Sequence, residues 1–395
     1  MSGYIPGGTL QSVRSDLKMD MPFASMLERD ITNSMQRRSS RRPLADALFR
    51  SPGGVWIYGA GGFGRSVAKE LIAKQVVVAG FIDRALAGGL IDGRPVLHPA
   101  HERLPAGATV LLGLFNPLHP WSEAMEAARC AGASEVFTPV EIVDLLPELS
   151  NYWLVPSTVV RSQIPELAAV ADLFADSRSV AILRDLLLFR LTGDPAMHPP
   201  VDADDQYLAA DLRREGLQFN HPIAFLDGGA FSGDTGLFLN RNGVELAEWV
   251  AFEPDAANFA QLAAAGQSLR STRRSFFPLG LSDRLENVSF ASGGGASSHL
   301  GGDGGRLRVV AADEVLGGFK PDYVKLDIEG AEAAALRGMT QLIDAARPKL
   351  AVCVYHRPLD ITTLPRQVRA CLPEAKLYLR QHAYNGFDTV LYAIP

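Results

Sequence analysis

The sequence predicts an α/β protein built from two Rossmann-like domains, the second closing on an antiparallel hairpin, and three observations carry that prediction. "VWIYGAGGFG" at 55–64 and "FLDGGAFSGDTG" at 225–236 each read as a strand running into a glycine-rich turn and then a helix. Short apolar runs alternate with helical segments after each of them, the pattern of parallel strands covered on both faces. The last two apolar runs, "AKLYLRQHA" and "DTVLYAIP", are separated only by "YNGF", too short for a helical crossover, so they pair as a hairpin.

The chain has 395 residues, 47% hydrophobic and 21% charged, which suits a globular protein of two or three domains. A net charge of −6 without a basic stripe argues against a nucleic acid partner. The one basic run, "MQRRSSRRP" from Met35 to Pro43, reads as a solvated leader segment. No apolar run is long enough to span a bilayer, and the first residues lack the apolar core of a secretory signal, so the expected location is the cytoplasm. Cys130, Cys353 and Cys371 form no Cys-x-x-Cys pair and read as buried reduced thiols; His98 and His101 in "LHPAHE" lack a third ligand and read as a loop.

In chain order, residues 1–50 form a helical leader in which "PFASMLERDI" has helical apolar spacing. Residues 51–150 form the first Rossmann-like domain, with strands expected at "VWIYG", "VVVAGFID", "TVLLGLF" and "EVFTP". Residues 151–210 form a helical connector without strands, and residues 211–395 the second α/β series, opening with "IAFLDGG", "WVAFEPD" and "SFFPLGLSD" and continuing with "DYVKLDIEG" and "KLAVCVYH". The low-complexity piece "SGGGASSHLGGDGG" at 292–305 reads as a mobile loop.

The two turns differ in charge. In the first, Gly59, Gly61 and Gly64 fill a G-x-G-x-x-G pattern with Gly62 between them, suited to a pyrophosphate facing a helix N-terminus. Asp83 follows at roughly the ~20-residue offset where a carboxylate binds ribose. The alternative is a retained turn in which the glycines serve only strand–helix packing. In the second turn Asp227 ends the strand and Asp234 opens the helix, so a pyrophosphate would meet two like charges in a low-dielectric cleft. A cationic adenosine derivative suits that turn better, and S-adenosylmethionine carries a sulfonium and an ammonium but no phosphate. The expected donor site comprises Asp227, Gly228, Gly229, Ala230, Phe231, Asp234 and Thr235, with Glu253 and Pro254 after the next strand and Ser282 and Asp283 after the third.

Methyl transfer from a sulfonium to a poorly acidic hydroxyl needs positioning and a base or metal ion. His356 in "VCVYHRP" is the expected base, because its unperturbed pKa lies near neutrality, with Asp327 in "VKLDIEGAE" to orient it or to face donor and acceptor. Glu329 and Glu332 open a helix, where negative charge is favoured. Asp327, Glu329 and His356 could together hold a hard divalent cation, but no ligand spacing compels it and no metal site is assigned. His299 and His382 are further candidates to reach an acceptor.

Taken together, "FLDGGAFSGDTG", "VAFEPD", "LGLSD", "DYVKLDIEGAEAAALRGM" and "RPKLAVCVYHRP" resemble the FkbM family of S-adenosylmethionine-dependent methyltransferases over roughly residues 205–395. The resemblance implies a seven-stranded class I methyltransferase fold and methyl transfer to oxygen on a sugar, polyketide or related natural product. It implies donor contacts from Asp227, Gly229, Asp234, Glu253 and Asp283, Asp327 beside them, and Tyr207 near the pocket. Residues 54–140 are similar to the nucleotide-sugar-binding domain of PglD-type sugar acetyltransferases, without the β-helix repeats that carry acetyl transfer. That likeness implies a second pocket for a nucleotide or nucleotide-sugar. The rival readings are a nicotinamide-dependent oxidoreductase using the Gly59 turn and a binding protein without catalysis.

Overall fold

Two sheets, each parallel across most of its width, carry the two glycine turns at the carboxyl ends of inner strands. The computed structural model describes residues 23–39, 43–49, 53–269, 272–291, 299–300 and 306–395. Most of the glycine-rich 292–305 segment and residues 40–42 of the basic run lie outside the described residues.

In the first sheet Val55–Tyr58 is flanked by Val78–Ile82 and Thr109–Leu112, all parallel, with Glu135–Phe137 beyond. The other edge is a hairpin absent from the sequence reading: Arg94–Leu97 runs parallel to Val78–Ile82 and turns back on Leu90–Ile91. Its turn is Asp92-Gly93, both at positive φ (49° and 76°), the Asp-Gly signal of a two-residue hairpin.

The second sheet has seven strands in the order Lys376–Gln381, Thr389–Ile394, Lys349–Cys353, Tyr323–Leu326, Ile223–Gly228, Leu246–Phe252, Arg273–Phe277. The last strand in sequence inserts antiparallel between its neighbours, as the short "YNGF" link requires. Tyr323–Leu326 and Thr389–Ile394 are buried at every position, because helices or connector cover both faces. One expectation needs correcting: the third strand ends at Phe277, and "LGLSD" leaves this sheet. Gly280–Leu281 joins a small separate sheet with Arg306–Val310, Glu286–Ala291 and His299–Leu300.

The connector supplies the helix Ser177–Thr192, capped at its start by Asp176, which accepts from the Ser179 amide, and ended by Gly193 at φ 67°. Its Phe189 packs on Trp121 of the first unit and on Trp153. One hydrophobic cluster therefore runs from Val55, Ile57 and Trp121 through Trp153 and Phe189 to Tyr207, Phe225 and Tyr323. A shared core of this kind resists hinge motion in a way that a solvated linker does not. Among the thiols, all free, Cys353 is buried but Cys130 is exposed at a helix end, contrary to the buried-thiol reading. Among the described residues no helix is long and apolar enough to cross a membrane.

The loop after Thr109–Leu112 fixes the final hairpin. Asn385 donates to the Asn116 and His119 carbonyls at 2.9 and 2.8 Å and accepts from the Trp121 amide at 3.2 Å, while the Tyr384 amide donates to the Pro117 carbonyl. The turn of the hairpin is thus held by the first unit, directly over the carboxyl ends of the second sheet.

Candidate active site

A cavity of about 330 Å³ opens above those strand ends. Gly229, Phe231, Asp234, Thr235, Glu253 and Pro254 line one side, Lys325, Asp327 and Glu329 the middle, and Tyr207, Phe387 and Asp388 the far side, with Tyr152 and Pro117 closing the junction with the first unit. Its size falls in the range of small-molecule pockets.

The glycine turn is built by necessity. Gly229 sits at φ 72°, and a Cβ there would lie 1.8 Å from the Asp327 carbonyl oxygen, so only glycine lets the first strand's turn close over the fourth strand's end. Gly229→Ala is therefore expected to abolish binding of S-adenosylmethionine in calorimetry, with a melting temperature several degrees lower. Gly233, at φ 84°, starts the helix Asp234–Arg241. Glu253 is buried, and its two carboxylate oxygens accept from the Phe231 and Asp255 amides at 2.8 and 2.9 Å. These bonds orient the carboxylate while each oxygen keeps acceptor capacity. Burial raises its pKa, against those two amide bonds.

Asp227 corrects the charge argument made from sequence. Its side chain is fully buried beneath the cavity, 3.3 Å from the ammonium of Lys325, which also donates to the Gly229 carbonyl at 2.5 Å. Burial raises the Asp227 pKa and Lys325 opposes the rise. Burial would lower the Lys325 pKa, but Asp227, Asp327 and Asp234 raise it. Asp227 thus holds Lys325 instead of presenting a bare charge to a ligand. The negative sign of the cleft survives on other residues: Asp234, Glu253, Asp327, Glu329 and Asp388 line it, and Lys325 is the one cation among its described lining residues.

Other expected donor residues lie elsewhere. Asp283 pairs with Arg337 at 2.9 Å, and Ser282, whose amide donates to the Val310 carbonyl, is buried in the small sheet; only their neighbour Leu281 reaches the cavity. Gly228 and Ala230 form the floor without lining it, and a Cβ on Gly228 would meet Leu326 and Leu281.

His356 is not placed as a base. Its Nδ1 lies 2.8 Å from Glu332 and its Nε2 3.3 Å from Asp327 and 3.7 Å from Glu329, with the ring wholly buried behind the cavity wall. Burial would favour the neutral ring, but Glu332, Asp327 and Glu329 raise its pKa well above the ordinary value, so it is a structural cation without a proton vacancy. His382 is also buried, between the Asp202 carbonyl and the Tyr392 hydroxyl.

The carboxylates that His356 organises do face the cavity. Asp327 accepts from the Tyr207 hydroxyl at 2.8 Å. Burial opposes its charge, but His356, Lys325 and Tyr207 hold its pKa far below the carboxylate range. Glu329 behaves oppositely: burial pushes its pKa up to about 7, with only partial relief from His356 and from the Tyr152 hydroxyl, which donates to it at 2.9 Å. Glu329 also adopts φ 57°, a backbone region that non-glycine residues rarely occupy, just before Gly330 at φ 95°. Two neighbouring carboxylates with pKa values driven apart are the arrangement expected of acid–base chemistry. Reading Glu329 as a helix opener or a cation ligand gave it no role as a base; the glycine after it was the only local signal.

In the first unit Gly59 adopts φ 98°, and a Cβ on Gly64 would lie 2.0 Å from the Gly59 carbonyl. Asp83 braces the turn: it accepts from the Ala60, Ala85 and Leu86 amides at 2.9, 2.9 and 3.1 Å. Gly61 and Gly62 face open space. Phe63 beside them packs on Phe115, which packs on Phe387 of the cavity, with ring centroids 5.7 and 4.7 Å apart.

The order of the second sheet, its inserted final strand and a carboxylate-lined cleft at its carboxyl ends define an S-adenosylmethionine-dependent methyltransferase of class I. Residues 227–384 match the methyltransferase FkbM domain. The crystal structure of Methyltransferase FkbM from Methylobacillus flagellatus KT is similar at a TM-score of 0.71 and 21% identity, covering 94% of this chain and 100% of its own, so the likeness of fold extends through both sheets. Aeropyrum pernix fibrillarin, solved with natively bound S-adenosyl-L-methionine, matches only weakly, at a TM-score of 0.29 and 12% identity over 48% of this chain and 76% of its own. No curated protein matches the sequence.

Proposed function

We propose that the chain methylates oxygen, with the acceptor hydroxyl belonging to a sugar, nucleotide-sugar, glycan or related natural product and Glu329 as the general base. The observation that carries this reading is a cavity-lining carboxyl group with a pKa near neutrality, held by a tyrosine from outside the methyltransferase sheet. The residues fit the donor: Glu253 is oriented to accept from ribose hydroxyls, and Asp234 and Asp327 offer negative charge to an ammonium and a sulfonium. Bound there, S-adenosylmethionine would supply an electrophilic methyl group. Asp327, fixed by Tyr207 and His356, keeps its charge throughout the working pH range. Glu329 would take the proton of the acceptor hydroxyl, leaving its oxygen to accept the methyl group that the bound donor would supply. Proximity and alignment supply much of the remaining rate.

The first glycine turn serves the acceptor in this reading. Open space at Gly61 and Gly62 leaves the backbone accessible to a nucleotide, and the Phe63–Phe115–Phe387 contact joins that turn to the methyl cleft. In the oxidoreductase reading Asp83 would bind the ribose; here it braces two turns, accepting from the Ala60 amide of the glycine turn and from the Ala85 and Leu86 amides of its own. Calorimetry with S-adenosylmethionine tests the donor assignment: Glu253→Ala is expected to weaken binding at least tenfold, about 1.4 kcal/mol, while Gly61→Ala leaves it unchanged. Methyl transfer from labelled donor to a panel of nucleotide-sugars, followed by mass spectrometry, tests the acceptor class; labelling only of nitrogen or carbon acceptors would overturn it.

A further inference from the structure

Behind the methyl cleft the connector buries polar groups that the methyl-transfer chemistry does not use. Arg190, near the end of Ser177–Thr192, is only 3% exposed, and its Nε and Nη2 have no hydrogen-bond partner among the described residues. Trp153 Nε1 and Gln163 Nε2 are likewise buried and unpartnered. All three side chains line one small cavity of about 10 Å³, otherwise walled by Val160, Leu167, Leu187, Pro358 and Ile361. The unpartnered polar atoms of this wall are all N–H donors.

At short range the charge is met only by an aromatic ring. No carboxylate forms an ion pair with Arg190 among the described residues, and the guanidinium lies 5.3 Å from the Trp153 ring centroid. The carboxylate acting on it most, Asp360, accepts from the Arg357 amide and is pushed by burial up to about 7. Burial lowers the Arg190 pKa to about 9. A buried donor without an acceptor is destabilising, more so when charged, so an occupant is expected. A water molecule accepts only two hydrogen bonds and leaves the charge in place. An anion accepts from every donor and cancels the charge. The space of about 10 Å³ is near the least that holds one water, which favours a single small occupant over a nucleotide.

We propose that Arg190, Trp153 and Gln163 form a binding site for a single monatomic anion of the halide class, independent of the methyl-donor site. The flexible Gln163 side chain adjusts to an ion slightly larger than water. Trp153 directly follows Tyr152, so the ion would brace the turn that carries Tyr152 to Glu329.

The test melts the full-length protein in sodium chloride or bromide and, at matched ionic strength, in sodium gluconate, whose anion cannot enter. The expected result is a saturable rise in melting temperature with halide, as for any ligand bound by the native state alone, and its loss in Arg190→Met. Trp153→Phe, which keeps an aromatic ring but removes the donor, is expected to weaken the response and serves if the arginine variant fails to fold. In bromide-soaked crystals an anomalous peak is expected within hydrogen-bond reach of Trp153 Nε1. Equal halide responses in the wild type and Trp153→Phe, no halide response beyond gluconate, or a water alone in the cavity of the bromide crystal would each overturn the proposal.

Discussion

Glu329→Gln is expected to lower kcat by about 10²–10⁴, the usual contribution of a general base, with a much smaller change in affinity for the methyl donor. The amide keeps the size of the side chain and its acceptor for Tyr152 but cannot take a proton. In the wild type, activity should rise with pH through about 7, because the base is the ionised form and burial holds its pKa there. The Tyr152 hydroxyl, which donates to the carboxylate at 2.9 Å, favours ionisation, so Tyr152→Phe should move the rising limb to higher pH. Stability should run the other way. With its native pKa above its ordinary value of 4.5, Glu329 contributes fully to stability below 4.5, and the contribution is lost as pH rises through about 7. Single-turnover rates and thermal melts across pH check both. If the limb near 7 persists in Glu329→Gln, the base lies elsewhere, and Asp388, pushed by burial up to about 6, is the next candidate.

Lys325→Met is the substitution expected to harm stability most, by about 3–5 kcal/mol, the effect of removing one partner of a buried ion pair. Asp227 would be left fully buried, with its cation gone from 3.3 Å. The Gly229 carbonyl would lose its donor at the same time. Chemical denaturation measures the loss, and the double variant Asp227→Asn/Lys325→Met should recover part of it because it removes the stranded charge as well. A Lys325→Met protein as stable as the wild type would show that Asp227 is not the buried counter-charge described here.

Legibility differed sharply between backbone and charge. The strands around both glycine turns, the final hairpin and the positions of Gly229, Asp234, Glu253 and Asp327 follow from local patterns: apolar runs of strand length, glycines where a side chain cannot fit, acidic residues at strand ends. Where a local signal was weak the reading slipped. "LGLSD" resembles a strand end but belongs to a different sheet, which carried Asp283 away from the cleft to Arg337. "IDGR" held an Asp-Gly turn that went unused.

The sequence by itself determined the two glycine turns, the parallel sheets and the antiparallel last strand, because period, turn chemistry and loop length act between near neighbours. Only the tertiary structure decided the chemical state of the carboxyl groups. Asp227 is neutralised by Lys325, His356 is locked as a cation between Glu332 and Asp327, and Glu329 is raised towards neutrality beside Tyr152. Those states depend on burial and on charges from strands and loops far apart in the chain, and no spacing along a sequence encodes the dielectric around a side chain.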